Sequence, residues 1–515
     1  MRSSSGGVQA RNRPTVRSPR SRRLAAALAA LLVLSGAGCA ARTGPATAPF
    51  SAVQILQHDL DRTFSAPALD RTLWAVVVQP ALTGEPIYRL NPSKLVMPAS
   101  NMKIVTLGAA AERLGWDFTF ETAIHATGPV ADSVLRGDLV VVGGGDPTIN
   151  ARGGDPRRVF LDWAGRLKAA GITAIDGRII GDDRAFDAEG LGRGWAWDYL
   201  AAGYAAKVGA LQYHEDLVSV VIRPGAAVGA AASIEIRPGG SGLTADNAVT
   251  TSAAGGSAEV DVQRLPGSGR LHVTGSVPLG SGETSLTASV DEPARFFLQE
   301  LHDTLIGEGL RIRNAPVVWN QAPAPVAVDP ERLLFTHRSP PLSEFAVVLM
   351  KVSQNLYAET LLRALGVQAG DSSARGGQAA VREVLTGWGV PPDAYVLADG
   401  SGLSRYNYVT ADTIARILTR MASDPRHAAR FEATLPIVGR DGTLARRMKG
   451  TPAENNAKAK TGSISNVRAL SGYVTTRDGE RLVFSIIANN FNVPTETIDA
   501  AVDAAVVRLA EFSRR

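Results

Sequence analysis

The sequence predicts an α+β fold in which an antiparallel sheet flanked by helices is built from both ends of the chain and interrupted by inserted β-rich domains. Three observations predict it. Helical apolar periodicity opens and closes the chain, a strong hairpin signal stands near the C-terminus, and short apolar runs separated by Gly, Pro, Asp and Ser fill the long middle. At 515 residues the chain exceeds one ordinary core, so the prior is about two to four domains. With 52 Gly and 29 Pro it holds many turns, and 45% hydrophobic against 20% charged residues is the balance of a globular protein.

The net charge of +5 is concentrated at one end. Arg2, Arg11, Arg13, Arg17, Arg20, Arg22 and Arg23 precede Leu24 with no acidic residue among them; without those seven charges +5 becomes −2, and a nucleic-acid partner loses its main support. The basic stretch leads into an apolar run at 24–34 and small residues at 35–38, the pattern of a secretory signal over 1–38. The run is too short for a lasting membrane span. Cys39, the only cysteine, stands where a bacterial lipoprotein carries its acylated first residue, although Gly36 replaces the usual bulky aliphatic three residues earlier. Lipidation of Cys39 and plain cleavage nearby both stay open. A lone thiol also rules out an internal disulfide, and residues 39–49, small and Pro-rich, read as a tether.

Each element follows in order. Residues 52–64 show helical periodicity, and an apolar run at 73–78 joins 86–90 through a Thr83-Gly84 turn as a hairpin. Pro98 and Ser100 open a helical stretch over 101–114, with Met102, Val105, Ala109 and Leu114 among its apolar positions. Residues 116–325 read as one or two strand-rich insertions with few helices, in which the Gly/Ala/Ser-rich stretches 224–243 and 251–257 are exposed loops. Helical pattern returns at 340–365 and 411–422. Alternating runs at 469–475 and 481–488 flank Arg477-Asp478-Gly479-Glu480 as a hairpin, and Pro494 starts a last helix with Ile498, Val502, Val506 and Leu509 on one face.

Three short motifs stand along this frame: Ser100-Asn101-Met102-Lys103, Ser353-Gln354-Asn355 and Lys460-Thr461-Gly462. Residues three apart on a helix share a face, so Ser100 and Lys103 bring a hydroxyl beside an amine. A serine hydroxyl becomes a nucleophile when a neighbouring base takes its proton. Lys103 can serve once its ammonium is disfavoured, and burial together with the positive charge of Lys460 would both lower its pKa. Singly the motifs are weak: by residue frequency Ser-x-x-Lys is expected about half a time, Ser-x-Asn about once, and Lys-Thr-Gly about one time in twenty. Their order, with flanks Met97-Pro98-Ala99 and Arg468-Ala469-Leu470-Ser471-Gly472-Tyr473, is far harder to reach by accident.

With these residues the chain resembles the serine penicillin-recognising enzymes, and among them the class C low-molecular-mass penicillin-binding proteins, which are D-alanyl-D-alanine carboxypeptidases and endopeptidases. Gly143-Gly144-Gly145-Asp146-Pro147-Thr148 and Asp399-Gly400-Ser401-Gly402-Leu403-Ser404 also look like blocks of that family, so the resemblance covers nearly all of the exported part. The long spacing between the first two motifs fits class C, whereas serine β-lactamases carry them much closer together. The resemblance implies a penicillin-recognising, β-lactamase/transpeptidase-like domain formed by 50–115 with 326–515, with 116–325 inserted.

It also implies roles. Ser100 would be the nucleophile and Lys103 the base; Ser353 would relay a proton to the departing D-alanine amine. Asn355 would hold Lys103 while donating to the substrate backbone. Lys460 and Thr461 would bind the terminal carboxylate, and Gly462 would leave room for an extended peptide beside an edge strand. The backbone N–H groups of Ser100 and Ser463 would form the oxyanion hole. The expected substrate is the peptidoglycan stem peptide, β-lactams are the expected inhibitors, and no cofactor is implied.

Other readings compete. Ser100 could be an ordinary N-cap with a solvated lysine one turn on, and Ser353 and Asn355 plain helix-start residues. The triple glycine lacks the Lys-Ser/Thr of a phosphate loop and reads as a tight turn. The seven histidines show no metal-ligand spacing, and neither H-E-x-x-H nor G-x-S-x-G occurs. Trp195 and Trp197 are read as packing residues rather than a glycan platform. A serine β-lactamase, or a peptidoglycan-binding protein without activity, remain the alternatives.

Overall fold

A computed structural model of the chain describes residues 50–515 except 324, 325 and 327. The signal segment, the tether and Cys39 lie outside the described residues.

Strand Leu73–Pro80 shows why the sheet forms. Its residues are almost all buried, so it reads as a continuous apolar run, the mark of a strand covered on both faces. Trp74, Val76 and Val78 enter one core, with Phe484, Ile486 and the helices Ala52–Phe64 and Thr495–Glu511; Ala75 and Val77 enter the other, with Met102, Leu107 and Ile417. That alternation is the period of two dictated by the strand. The five-stranded antiparallel sheet runs Tyr88–Leu90, Leu73–Pro80, Arg481–Asn489, Val467–Thr475, Lys458–Ile464, so the first and last parts of the fold share one layer. Both expected hairpins are present, the second in register Val467↔Asn489 to Thr475↔Arg481. Ser51 and Gln54 form a capping box that starts the first helix.

The helical stretch expected over 340–365 is two helices, Leu342–Lys351 and Asn355–Gln368. They part at Ser353, whose φ of +63° lies in the left-handed region and cannot continue a helix. Gln354 restarts the chain as a cap, its Oε1 accepting the Leu356 N–H at 3.2 Å. No Gly or Pro marks the break, so periodicity alone runs through it.

Among the described residues, four sheets of three to five strands lie between residues 121 and 338, as the strand-rich reading requires, together with two amphipathic helices, Arg158–Ala169 and Pro293–Gly307. The expectation of an exposed loop over 224–243 is corrected: Ser233–Arg237 is a strand antiparallel to Leu217–Arg223. Ile234 and Ile236 alternate with polar residues and pack on the local core, a signal hidden by the surrounding Gly and Ala. In the other Gly-rich stretch, Thr251 and Ser252 end the strand Thr244–Ser252 before a turn. Strand Leu333–Arg338 pairs with Glu121–Ala126 as the chain returns. The triple glycine allows close backbone approach: a Cβ on Gly143 would stand 2.3 Å from the Ala210 carbonyl and one on Gly144 2.2 Å from that of Glu121.

Candidate active site

The turn bearing Ser100 is fixed from three sides. It is a 3₁₀ turn, Ala99–Asn101, followed by the helix Met102–Arg113. The Asn489 side chain bonds Met97 on both sides, accepting its N–H at 2.8 Å and donating to its carbonyl at 3.0 Å. Asn101 Nδ2 donates to Ser471 Oγ at 2.7 Å, which ties the turn to the sheet. Across it lies the 399–404 loop, where Gly402 has φ +86° and a Cβ would meet the Ala99 carbonyl at 1.8 Å. Only glycine fits there.

One helical turn on, Lys103 is completely buried, and its Nζ reaches three oxygens: Ser100 Oγ at 3.1 Å, Asn355 Oδ1 at 2.6 Å and the Ser401 carbonyl at 2.8 Å. Asn355 Oδ1 and the Ser401 carbonyl can only accept. In a neutral amine the two N–H bonds therefore go to them, and the lone pair is left facing the Ser100 hydroxyl. Burial favours that neutral form and brings the Lys103 pKa down to about 7, against the opposing pull of the Asp399 and Glu359 carboxylates. Lys460 was expected to depress Lys103. Burial is the main cause, and the mutual repulsion of the two lysines is felt at Lys460, which is pushed well below its usual range by burial and then by Lys103.

Lys460 lies on the edge strand Lys458–Ile464, fully buried, and donates to Ser353 Oγ at 2.9 Å and to the Thr461 carbonyl at 2.9 Å. Ser353, in its left-handed turn, and Asn355, at the start of the next helix, thus bridge the two lysines. Ser100, Ser353, Asn355 and Ser463 line one open cavity of about 600 Å³. Thr461 Oγ1 bonds Thr443 Oγ1 at 2.8 Å.

Two of the expected residues make contacts that the sequence did not show. At Gly462 the side-chain direction is closed: a Cβ there would stand 2.7 Å from the Pro98 carbonyl and 3.2 Å from Asn101 N. The missing side chain lets the edge strand close on the Ser100 turn. Asn355 Nδ2 uses one of its two N–H groups on the Tyr204 carbonyl of the inserted region at 2.7 Å, and the other is the one left for substrate.

Several residues of the site were given no role in the sequence reading. Tyr199, Tyr204 and Arg468 also line the cavity, brought from the inserted region and from the hairpin. Asp399 orders its loop, its carboxylate accepting the N–H groups of Gly402 at 2.8 Å and Ser404 at 2.6 Å and the Trp195 indole N–H at 2.9 Å. Trp195 is thus a structural clamp, whereas Trp197 is 58% exposed. The 399–404 block was visible in sequence, but its contact with Lys103 was not. Glu112, Asp424 and His427 form a group of metal-ligand type outside the cavity, yet Arg426 and Arg420 pair with the two carboxylates, and the His427 ring bonds Glu112 and Trp116.

The chain is 35% identical over 489 residues to a D-alanyl-D-alanine carboxypeptidase of Actinomadura sp. (strain R39), covering 91% of this chain and 87% of that protein. It is 28% identical over 412 residues to the D-alanyl-D-alanine carboxypeptidase DacB of Haemophilus influenzae, covering 78% and 82%. The crystal structure of penicillin binding protein 4 (dacB) from Haemophilus influenzae superimposes with a TM-score of 0.75 at 26% identity, covering 88% of this chain and 97% of that one. Residues 56–511 match the D-Ala-D-Ala carboxypeptidase 3 (S13) family, and the chain belongs to it.

Proposed function

We infer that the protein is a serine D-alanyl-D-alanine carboxypeptidase that removes the terminal D-alanine of peptidoglycan stem peptides through an acyl-enzyme on Ser100. One observation carries the reading: the Lys103 amine lies 3.1 Å from Ser100 Oγ with its other directions occupied by acceptors. Neutral Lys103 takes the hydroxyl proton as Oγ attacks the carbonyl of the penultimate D-alanine. The oxyanion forms against the N–H groups of Ser100 and Ser463, donors of a kind worth roughly 10²–10³ in rate each. The Ser353 hydroxyl, bonded to Lys460, passes its proton to the leaving amine as the C–N bond breaks, and the proton held by Lys103 replaces it on the Ser353–Lys460 pair, leaving Lys103 neutral again. Water then hydrolyses the ester, with Lys103 again accepting a proton.

Carboxylate recognition falls to Lys460 and Thr461. Burial makes the ammonium form of Lys460 costly, and an arriving carboxylate restores it, so substrate binding and charging of the lysine reinforce each other. β-Lactams would acylate the same hydroxyl. Among the described residues no helix is long and apolar enough to cross a membrane. Export to the cell envelope rests on the signal pattern over 1–38, with anchoring through a lipid on Cys39 as its further form. The proposed division takes residues 50–115 with 326–515 as the catalytic domain around the insertion, save that strand Leu333–Arg338 joins the sheet of the insertion through its pairing with Glu121–Ala126. Its support is the shared sheet of the two chain ends.

The test is release of D-alanine from a tripeptide ending in D-Ala-D-Ala. Wild type is expected to release it and Ser100→Ala is not; equal release by both, or none by wild type, would contradict the reading. A cross-linked stem-peptide dimer in the same assay reports endopeptidase action.

A further inference from the structure

Both acceptors that orient Lys103 depend on one helix. Asn355 Oδ1 comes from the first turn of Asn355–Gln368, and the Ser401 carbonyl comes from a loop that this helix holds. The holding group is Glu359, one turn beyond Asn355 and 1% exposed. Its Oε1 accepts the backbone N–H groups of Gly400 at 3.0 Å and Ser401 at 2.8 Å. The carbonyls of the same two residues face the Ser100 helix: Gly400 accepts from Thr106 Oγ1 at 2.7 Å and Ser401 from Lys103 Nζ at 2.8 Å. The turn is therefore a bridge, gripped by a carboxylate behind and presenting its carbonyls to the base in front. It is also tightly seated, since a Cβ on Gly400 would stand 2.7 Å from the Ala358 carbonyl.

We propose that Glu359 is a positioning residue for the base of this site, clamping the Gly400–Ser401 turn so that the Ser401 carbonyl, with Asn355, aims the Lys103 amine at Ser100 Oγ. The proposal rests on the reading of Lys103 as that base. A fully buried carboxylate is an expensive choice for mere packing, where an apolar side chain of the same length would serve. Its bond to the Ser401 N–H fixes the peptide unit whose Gly400 carbonyl accepts from Thr106, while the next unit, which presents the Ser401 carbonyl to Lys103, is held at its Gly402 N–H by Asp399.

Its charge is also felt at the amine. Glu359 is faced by Asp399 from the loop, by Lys103 from the Ser100 helix and by Arg363 from its own next turn, with Lys460 beyond Lys103 on the edge strand. Burial and then Asp399 raise Glu359, and its negative form favours protonated Lys103. Removing the charge should therefore let Lys103 lose its proton at lower pH.

Two variants of similar size separate these effects. Glu359→Gln keeps an acceptor and removes the charge; Glu359→Met removes both. Acylation by benzylpenicillin is followed against pH and concentration in the full chain, and the Ser100 peptide is checked for the adduct. The Gln variant is expected to keep a near wild-type plateau with its acid limb displaced to lower pH. The Met variant is expected to acylate about 10²-fold more slowly at its plateau, in the chemical step rather than in binding. Plateaus and limbs of both variants coinciding with wild type overturn the proposal, as does an equal loss in both with unmoved limbs. Should Glu359→Met fail to fold, Glu359→Leu, which also removes the acceptor, takes its place, and a plateau coincident with wild type overturns the proposal. A wild type that takes no adduct on Ser100 ends the underlying reading itself, an outcome distinct from labelled wild type with unaffected variants.

Discussion

Lys103 reaches Ser100 because three residues along a helix bring side chains to one face, and it is disposed to accept a proton because burial brings its pKa down to about 7. The sign of the pH dependence follows. The neutral amine is the active form, so the acylation rate should rise as pH passes upward through about 7 and fall below it. Stopped-flow acylation by a chromogenic β-lactam reads this limb; a rate flat from pH 5 to 9 would contradict it. Lys103→Ala removes the base and is expected to lower the rate by about 10²–10⁴ while the protein stays folded, checked by circular dichroism. At this scale the sequence was legible where chemistry follows local spacing, as in Ser100 with Lys103 and Ser353 with Asn355. Glu359 escaped it because its partners, Gly400 and Ser401, are 41 and 42 residues away and present backbone atoms rather than side chains.

Elements bring those side chains together through departures from regularity. The sheet strands and the terminal helices were readable, since apolar runs of strand length and a 3.6-residue stripe leave little choice. The helix break at Ser353 was not, because no Gly or Pro signals it and only its neighbours hold the left-handed φ. Strand Ser233–Arg237 was hidden by small residues around two isoleucines. Gly402 is the most constrained point of the site loops, needing φ +86° and the absence of a Cβ. Gly402→Ala is expected to cost about 1–3 kcal/mol from backbone strain alone, and more from the contact with the Ala99 carbonyl. Chemical denaturation reads the loss, and β-lactam acylation should fall with it because the Ser100 turn is displaced. A variant with wild-type stability and rate would show that the loop does not constrain the turn.

Across the whole molecule, two ends of the chain close one sheet and the inserted region packs against the helices beside it. Phe186, Ala206, Val208 and Ala210 from that region belong to the same core as Met102, Leu349 and Leu361. Phe186→Ala, at a site 5% exposed, is therefore expected to destabilise by about 3–5 kcal/mol and to lower the unfolding midpoint of penicillin binding together with that of bulk structure. Separate midpoints would mean that the insertion folds independently of the site. That residues around 100, 353 and 460 meet was inferred from motif order, flanking residues and family resemblance; the distances of 3.1, 2.6 and 2.9 Å linking Ser100 to Lys103, Lys103 to Asn355 and Lys460 to Ser353 give it physical form. Convergence on a single nucleophile is tested most directly by peptide mass spectrometry after exposure to benzylpenicillin. One adduct, on the peptide containing Ser100 and missing in Ser100→Ala, is the expected result; an unmodified protein, or an adduct on another residue, would contradict the account.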